Sequence, residues 1–184
     1  MAAEERPEQQ VSENEKSCCP RELMKRFYLL QEERVQTYQL FEEGFKAYLS
    51  GSPNYNFNLY RQLVHEITDT FNKISQDIIS IIHQLDTVHK RVPLANLLRK
   101  VQDAEQVKLE NTAKLQMTRQ NLVDHPTEEQ HRIQDAQLKQ SVKDLVEKLV
   151  DLMEEVKYES EDLYDDENGD KNVEEDIDNV QVER

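Results

Sequence analysis

Tryptophan is absent from this chain of 184 residues, and only three glycines and two cysteines are present. An all-β protein needs many tight turns, hence many glycines, so so few argue against a sheet fold. The two cysteines, Cys18 and Cys19, are adjacent. Neighbouring cysteines cannot staple distant segments, which excludes a disulfide-framed secreted module. Long apolar runs are also missing. The best, Ile78 to Ile82, is interrupted by Ser80 and falls far short of the roughly 20 residues that span a bilayer. The first residues, MAAEERPEQQ, lack the apolar stretch of a signal peptide and are too acidic for a mitochondrial transit peptide. Neither a myristoylation glycine after Met1 nor a terminal prenylation box is present. The expected location is therefore nuclear and/or cytoplasmic, neither secreted nor in a membrane.

What is abundant is acid, and it is unevenly placed. The net charge is −15. Residues 1–17 hold five acids and two bases, and residues 159–184 hold twelve acids and two bases. The middle is close to neutral, as a globular domain usually is. The acidic ends repel nucleic acid and anionic lipid and attract basic surfaces. With their apolar period lost, 1–17 and 159–184 read as disordered tails, leaving 18–158 as the folded domain.

Pro20, Pro53, Pro93 and Pro126 divide that domain into four segments of helix-forming composition. Pro20 and Pro93 suit the first turn of a helix, Thr127 with Gln130 suits a capping box, and Ser50–Asn54 has the chemistry of a turn. Each segment gives a rod of about 45 Å. In the second, Tyr60, Val64, Ile67, Phe71, Ile74, Ile78, Ile81, Leu85 and Val88 recur at alternating steps of four and three, a sustained seam that Ile79 and Ile82 widen. The fourth repeats the spacing from Leu138 through Val142, Leu145, Leu149 and Leu152 to Val156. The first shows a mixed face of Phe27, Leu30, Val35, Tyr38, Phe41, Phe45, Tyr48 and Leu49. The third is weakest, with Leu94, Leu97, Leu98 and Val101 before it turns polar. Three breaks in so short a span favour chain reversal. The expected fold is all-α: an antiparallel bundle of about four long amphipathic helices with coiled-coil-like packing. An extended coil whose seam is completed by a second chain, a homodimer, is the alternative.

Chemical motifs are sparse. His65-Glu66-Ile67-Thr68-Asp69 begins like a zinc-protease helix, but Asp69 stands where the second His belongs. Cys18 and Cys19 beside Pro20 lie at a helix start without a His, Lys or resolving Cys in a recognised spacing, so they read as passive thiols. The run Tyr164–Glu175 matches a calcium loop at Asp166, Asn168, Gly169 and Glu175, yet its first position is Tyr164 and carries no carboxylate. No phosphate loop or nucleophile triad can be drawn. The best basic stripe, His89-Lys90-Arg91 with Arg99-Lys100, is small, and the acidic tail opposes phosphate. No cofactor, metal or catalytic residue is expected.

Two stretches carry more than generic helix: RELMKRFYLLQEERVQTYQLFEEGFKAYL (21–49) and YNFNLYRQLVHEITDTF (55–71). Through Gln31-Glu32-Glu33-Arg34, Phe41-Glu42-Glu43-Gly44, Tyr48-Leu49, Tyr55, Phe57, Tyr60-Arg61, Val64-His65-Glu66, Thr68 and Phe71 they resemble the required-for-excision B-domain family of DNA-repair proteins. The likeness covers about residues 20–90, with a weaker echo at Gln137-Leu138-Lys139. It implies an association with DNA excision repair and brings no catalytic residues. Arg34, Gly44, Tyr60, Arg61, His65 and Glu66 become the candidate interaction residues. Gly44 implies a close backbone approach, while Arg34 and His65-Glu66 belong either beside the inter-helix seam or in a surface salt-bridge network.

The expected function is that of a non-catalytic helical adaptor associated with excision repair. A coiled-coil subunit of a cytoplasmic assembly and a direct DNA-binding protein are the alternatives. The expected partners are other proteins, with a basic surface for the acidic tail. Leu163 and Tyr164, set among acids, are the candidate anchors of that tail.

Overall fold

The chain folds as four helices that reverse direction at each proline-marked break. The computed structural model describes residues 18–167, with α1 at Pro20–Leu49, α2 at Phe57–Thr87, α3 at Val92–Asp124 and α4 at Glu129–Glu159. Pro20 opens α1 in its first turn, where a missing N–H leaves nothing unpaired. The Asn56 side chain caps α2, accepting the Leu59 N–H at 3.2 Å. Lys90 adopts φ 56° in the turn between α2 and α3, a left-handed conformation that L residues other than glycine seldom take. The expected capping box at Thr127 does not form. Helix α4 starts at Glu129 with Glu128 as its N-cap and no side-chain cap, and His131 Nε2 lies 2.9 Å from the Glu128 carboxylate.

The helices run alternately up and down. One end of the bundle gathers the start of α1, the α2–α3 turn and the close of α4, where His89 meets Cys18 and Arg91 meets Asp162. The α1–α2 and α3–α4 turns meet at the other end, where Tyr55 donates to Asp124. Helix α3 packs extensively on α4, α1 on α2, and α2 on α3, but no Cα atoms of α1 and α4 lie within 8 Å. Packed helices normally sit about 8–10 Å apart axis to axis, so one edge of the four-helix square is open.

The main core joins Leu23, Met24 and Phe27 of α1 to Ile74, Ile78, Ile81 and Leu85 of α2, Leu94, Leu98 and Val101 of α3, and Leu149, Leu152 and Val156 of α4. A smaller cluster of Phe41, Ile67 and Phe71 lies toward the opposite end. The α2 seam is largely as its spacing predicts, but Ile79 (58% exposed) and Val88 (55%) face outward, as does Val35 of α1 (54%). Ile79 stands about 100° around the helix from Ile78, at the open mouth of a cavity between α1, α2 and α3. In α3 the weak stripe is completed by the small buried side chains Ala95 and Ala104, which let helices approach closely and carry little periodic signal.

The fold extends past the expected boundary at 158. Ser160 is buried, residues Glu161–Glu167 form a 3-10 helix, and Leu163 packs against the main core. Its acidic composition conceals one apolar anchor. Residues 1–17 and 168–184, the rest of the expected tails, lie outside the described residues, as does the greater part of the calcium-loop match.

Adjacent isoleucines provide the test of this packing. Ile78 is fully buried and Ile79 more than half exposed. Ile78→Ala is expected to cost about 3 kcal/mol and to lower Tm by roughly 6–12 °C. Ile79→Ala should stay within about 0.5 kcal/mol. Equal losses in thermal melts would show that the α2 seam is assigned to the wrong face.

Candidate functional site

A groove of ≈ 1300 Å³ runs along the open α1–α4 edge, lined by Tyr28, Gln31, Glu32 and Val35 of α1, Glu105 and Lys108 of α3, and α4 from Val146 to Tyr158. Its volume exceeds the roughly 300–1,000 Å³ typical of small-molecule pockets. The α4 wall is apolar along Val146, Leu149, Val150 and Met153. Val146 and Val150 remain 44% and 54% exposed, and Val35 stands 54% exposed on the α1 wall. This second α4 stripe lies one position beyond the Leu145–Leu149–Leu152 seam, which is why heptad reading passes over it.

Behind the groove lies a tightly connected polar layer. Its Gln31, Glu105 and Lys108 reach the groove, while Arg34, Tyr38, Ser75 and Gln102 line a separate cavity of ≈ 640 Å³ between α1, α2 and α3. Arg34 is 3% exposed. Its guanidinium donates to Gln31 Oε1 at 2.9 Å and to Gln102 Oε1 at 2.6 Å, and reaches Ser75 Oγ at 3.5 Å. Gln31 Nε2 lies 3.7 Å from Met153 Sδ and so crosses to α4. Burial pushes the Arg34 pKa down, and the Glu105 carboxylate opposes that shift. Lys108 pairs with Glu105 at 3.1 Å and stands 4.0 Å above the Tyr38 ring. The Tyr38 hydroxyl, held at the Glu105 carbonyl, has its pKa raised by burial and then by Glu105.

The other motif residues separate into two groups. Tyr60 donates to Gln116 Oε1 at 2.7 Å and stacks on Tyr48 at 4.3 Å, and burial raises its pKa to about 12. Gly44 makes the close approach its position implies: a Cβ there would run into Leu63 Cδ2. By contrast, Arg61, His65 and Glu66 are exposed. His65 pairs with Asp69 at 3.5 Å and Glu66 accepts from Gln62 at 3.1 Å, so this stretch is a surface network remote from the Arg34 layer.

At the bundle end the 3-10 segment is latched. Arg91 grips Asp162 through two bonds of 2.6 and 2.8 Å and donates to the Glu159 carbonyl at 2.9 Å. Arg21 sits 5.6 Å over the Tyr164 ring. Leu163 and Tyr164, expected as anchors for a partner, are thus turned onto the chain's own bundle, and Tyr164 closes one end of the groove. Of the basic stripe, Arg99 is held by Asp86 and Asn96 and Arg91 by Asp162. Among the described residues no three His, Cys, Asp or Glu side chains converge as a metal site requires, and no helix is long and apolar enough to cross a membrane.

Two measurements check these local assignments. Ala favours a helix interior over Gly by about 1 kcal/mol, so Gly44→Ala should stabilise a Leu63→Ala background by nearly that amount. In the wild type the displaced Leu63 should cancel most of the gain. Equal effects in both backgrounds would mean that the two residues do not touch. The Arg91 bond holds the Asp162 pKa below the ordinary 3.8. The latch is therefore intact above that value and weakens as pH falls through the depressed folded-state pKa. Leu163 methyl NMR signals should be constant from pH 7 to 5 and shift only in stronger acid. Asp162→Asn should produce the acid-form spectrum at pH 7, and a wild-type spectrum would place the anchoring elsewhere.

Comparison with known proteins agrees with the family resemblance. A family model described as DNA repair REX1-B matches residues 22–119. The chain is 32% identical over 143 residues to a Bos taurus protein called Required for excision 1-B domain-containing protein, covering 77% of each chain. It is 29% identical over 140 residues to the Mus musculus protein of that name, covering 76% of this chain and 80% of the mouse one. No solved structure matches. The match begins in α1 and ends in α3, so it contains Arg34, its three polar partners and the Gly44–Leu63 contact. This chain belongs to the DNA repair REX1-B family.

Proposed function

We propose that this chain is a non-catalytic adaptor in DNA excision repair that presents its α1–α4 edge to another protein in the nucleus. The observation that carries this reading is the unclosed edge, where valines of facing helices stand about half exposed with no helix between them. Grouped apolar surface of this kind marks interaction sites in soluble proteins. The family supplies the repair context. Catalysis draws no support from the fold, because the described residues lie mainly in long helices joined by short turns, with no loop-built cleft. Direct DNA binding is opposed by charge: Arg91 and Arg99 are already held by carboxylates, leaving Lys90 and Lys100 without the contiguous basic face that phosphate contacts need.

The test is complementation of cells lacking the gene. Val35→Arg with Val150→Arg changes two exposed positions, so the purified double variant should melt within about 1 kcal/mol of wild type. It should nevertheless fail to restore survival after ultraviolet irradiation. Full rescue would move the function away from this edge. Deletion cells no more sensitive than their parents would remove the repair role and favour a cytoplasmic assembly subunit.

A further inference from the structure

The edge has a charge pattern as well as an apolar strip. The groove is lined by Glu32, Glu105, Glu154, Glu161 and Asp165 against Lys108 and Lys157. Glu105 and Lys108 neutralise each other deep in the groove, at 12% and 14% side-chain exposure. That leaves Glu32 on the α1 rim, Glu154 on the α4 rim, and Glu161 and Asp165 at the latched end, against Lys157 alone. All four acids are exposed, and none has an ion-pair partner among the described residues. Both walls are helices, so the space between them runs parallel to helix axes. The wall formed by α4 and its C-cap extends from Val146 to Ser160, a length of about 21 Å or four helical turns.

We propose that this groove takes one amphipathic helix from a partner protein, about four turns long, whose apolar face is flanked by lysine or arginine. The apolar face would cover Val35, Val146, Val150 and Met153, completing the missing side of the bundle, and its flanking cations would meet Glu32 and Glu154. Charge selects this occupant over the two within reach. A second copy of the chain would bring the same acidic rims. The chain's own residues 168–184 carry six acids against two bases and would be repelled. The proposal rests on the adaptor reading of this edge and deepens it.

Two labelled synthetic helices, each about four turns long with the same leucine face, test it against the full chain by fluorescence anisotropy. One carries lysines beside the leucines, the other glutamates. The lysine helix should bind at least about tenfold more tightly than the glutamate helix. Val35→Arg with Val150→Arg should weaken it by about tenfold or more, and Glu32→Lys with Glu154→Lys should shift preference toward the glutamate helix. Binding of the lysine helix unaffected by the valine substitutions would mean simple capture by the acidic chain end and would overturn the proposal, as would equal binding of both helices. A concentration-dependent dimer abolished by the valine substitutions would place a second copy there. Hydrogen-exchange protection of residues 168–184 released by the same substitutions would place that segment there. Either result overturns the proposal. Selective helix binding combined with full rescue of ultraviolet survival by the valine variant would retain the groove and reject its repair role. Loss of survival without selective helix binding would retain the role and reject this occupant.

Discussion

A guanidinium removed from water is tolerated only when its donors are met by well-placed acceptors. Arg34 is almost fully buried, and it has no carboxylate within ion-pairing distance among the described residues. Its acceptors are a glutamine from its own helix, a serine from α2 and a glutamine from α3. Those groups converge only when the three helices hold one longitudinal register, and sliding any helix by a turn, about 5.4 Å, strands the charge. An apolar layer would allow neighbouring registers at small cost. This layer does not, which is the best-attested structural use of a buried polar group. The two apolar clusters lie on either side of it and take their alignment from it.

The same layer accounts for the open edge. Glu105 of α3, which lies beside Arg34 in the neighbouring cavity, also reaches the groove with Lys108, and Glu32 and Glu154 stand on the rims. Drawing α4 against α1 would bury two acids that have no cation of their own, against the gain from covering three valines. Charge desolvation costs several kcal/mol per ion, while full burial of a valine gives about 1.5–3 kcal/mol and these are already half covered. The balance favours an edge that stays apart until cations arrive. In the half of α4 next to the α3–α4 turn, Asp135 is the only residue of α4 before Leu149 that is fully buried. It meets Arg119 and Lys139, while Arg119 also reaches Glu42 of α1. The one buried residue in that half of α4 is thus polar, while its apolar Leu138, Val142 and Leu145 are only half-buried.

The parts legible in the sequence are those in which one residue type has one geometric meaning. Prolines marked the helix starts, the four-three spacing of Ile67 through Leu85 marked a buried stripe, and Gly44 marked a close helix approach. What escaped was either small or ambiguous. Ala95 and Ala104 bring α3 close to its neighbours but add almost nothing to a hydrophobic period. Val146 and Val150 lie one position beyond a stronger seam and fall outside its four-three spacing. Asn56 caps α2 two residues after the asparagine assigned to the turn. Leu163 and Tyr164 sat in so acidic a run that they read as anchors for another protein, yet an anchor among charges is equally able to bind the chain's own core. Spacing could not decide between a seam position and a surface network for the polar motif residues. Arg34 took the first and His65 with Glu66 the second, because only Arg34 lies on the α1 face turned to both α2 and α3.

Charge and apolar surface at the edge act at different stages of an encounter. The rim acids are exposed, and beyond them 168–184 carries a further net negative charge, so their field extends into solvent by a Debye length of about 8 Å at physiological salt. Such fields accelerate the approach of a basic surface and slow that of an acidic one, with little effect on how long a docked partner stays. Residence depends on the water excluded by Val35, Val146, Val150 and Met153 and on the fit against the Gln31 bridge. A partner with basic charge but no apolar face would arrive quickly and leave quickly. One with an apolar face but no cations would have to desolvate Glu32 and Glu154 unpaired. Only a helix with both features satisfies the edge, so specificity lies in their combination along one strip rather than in any single contact.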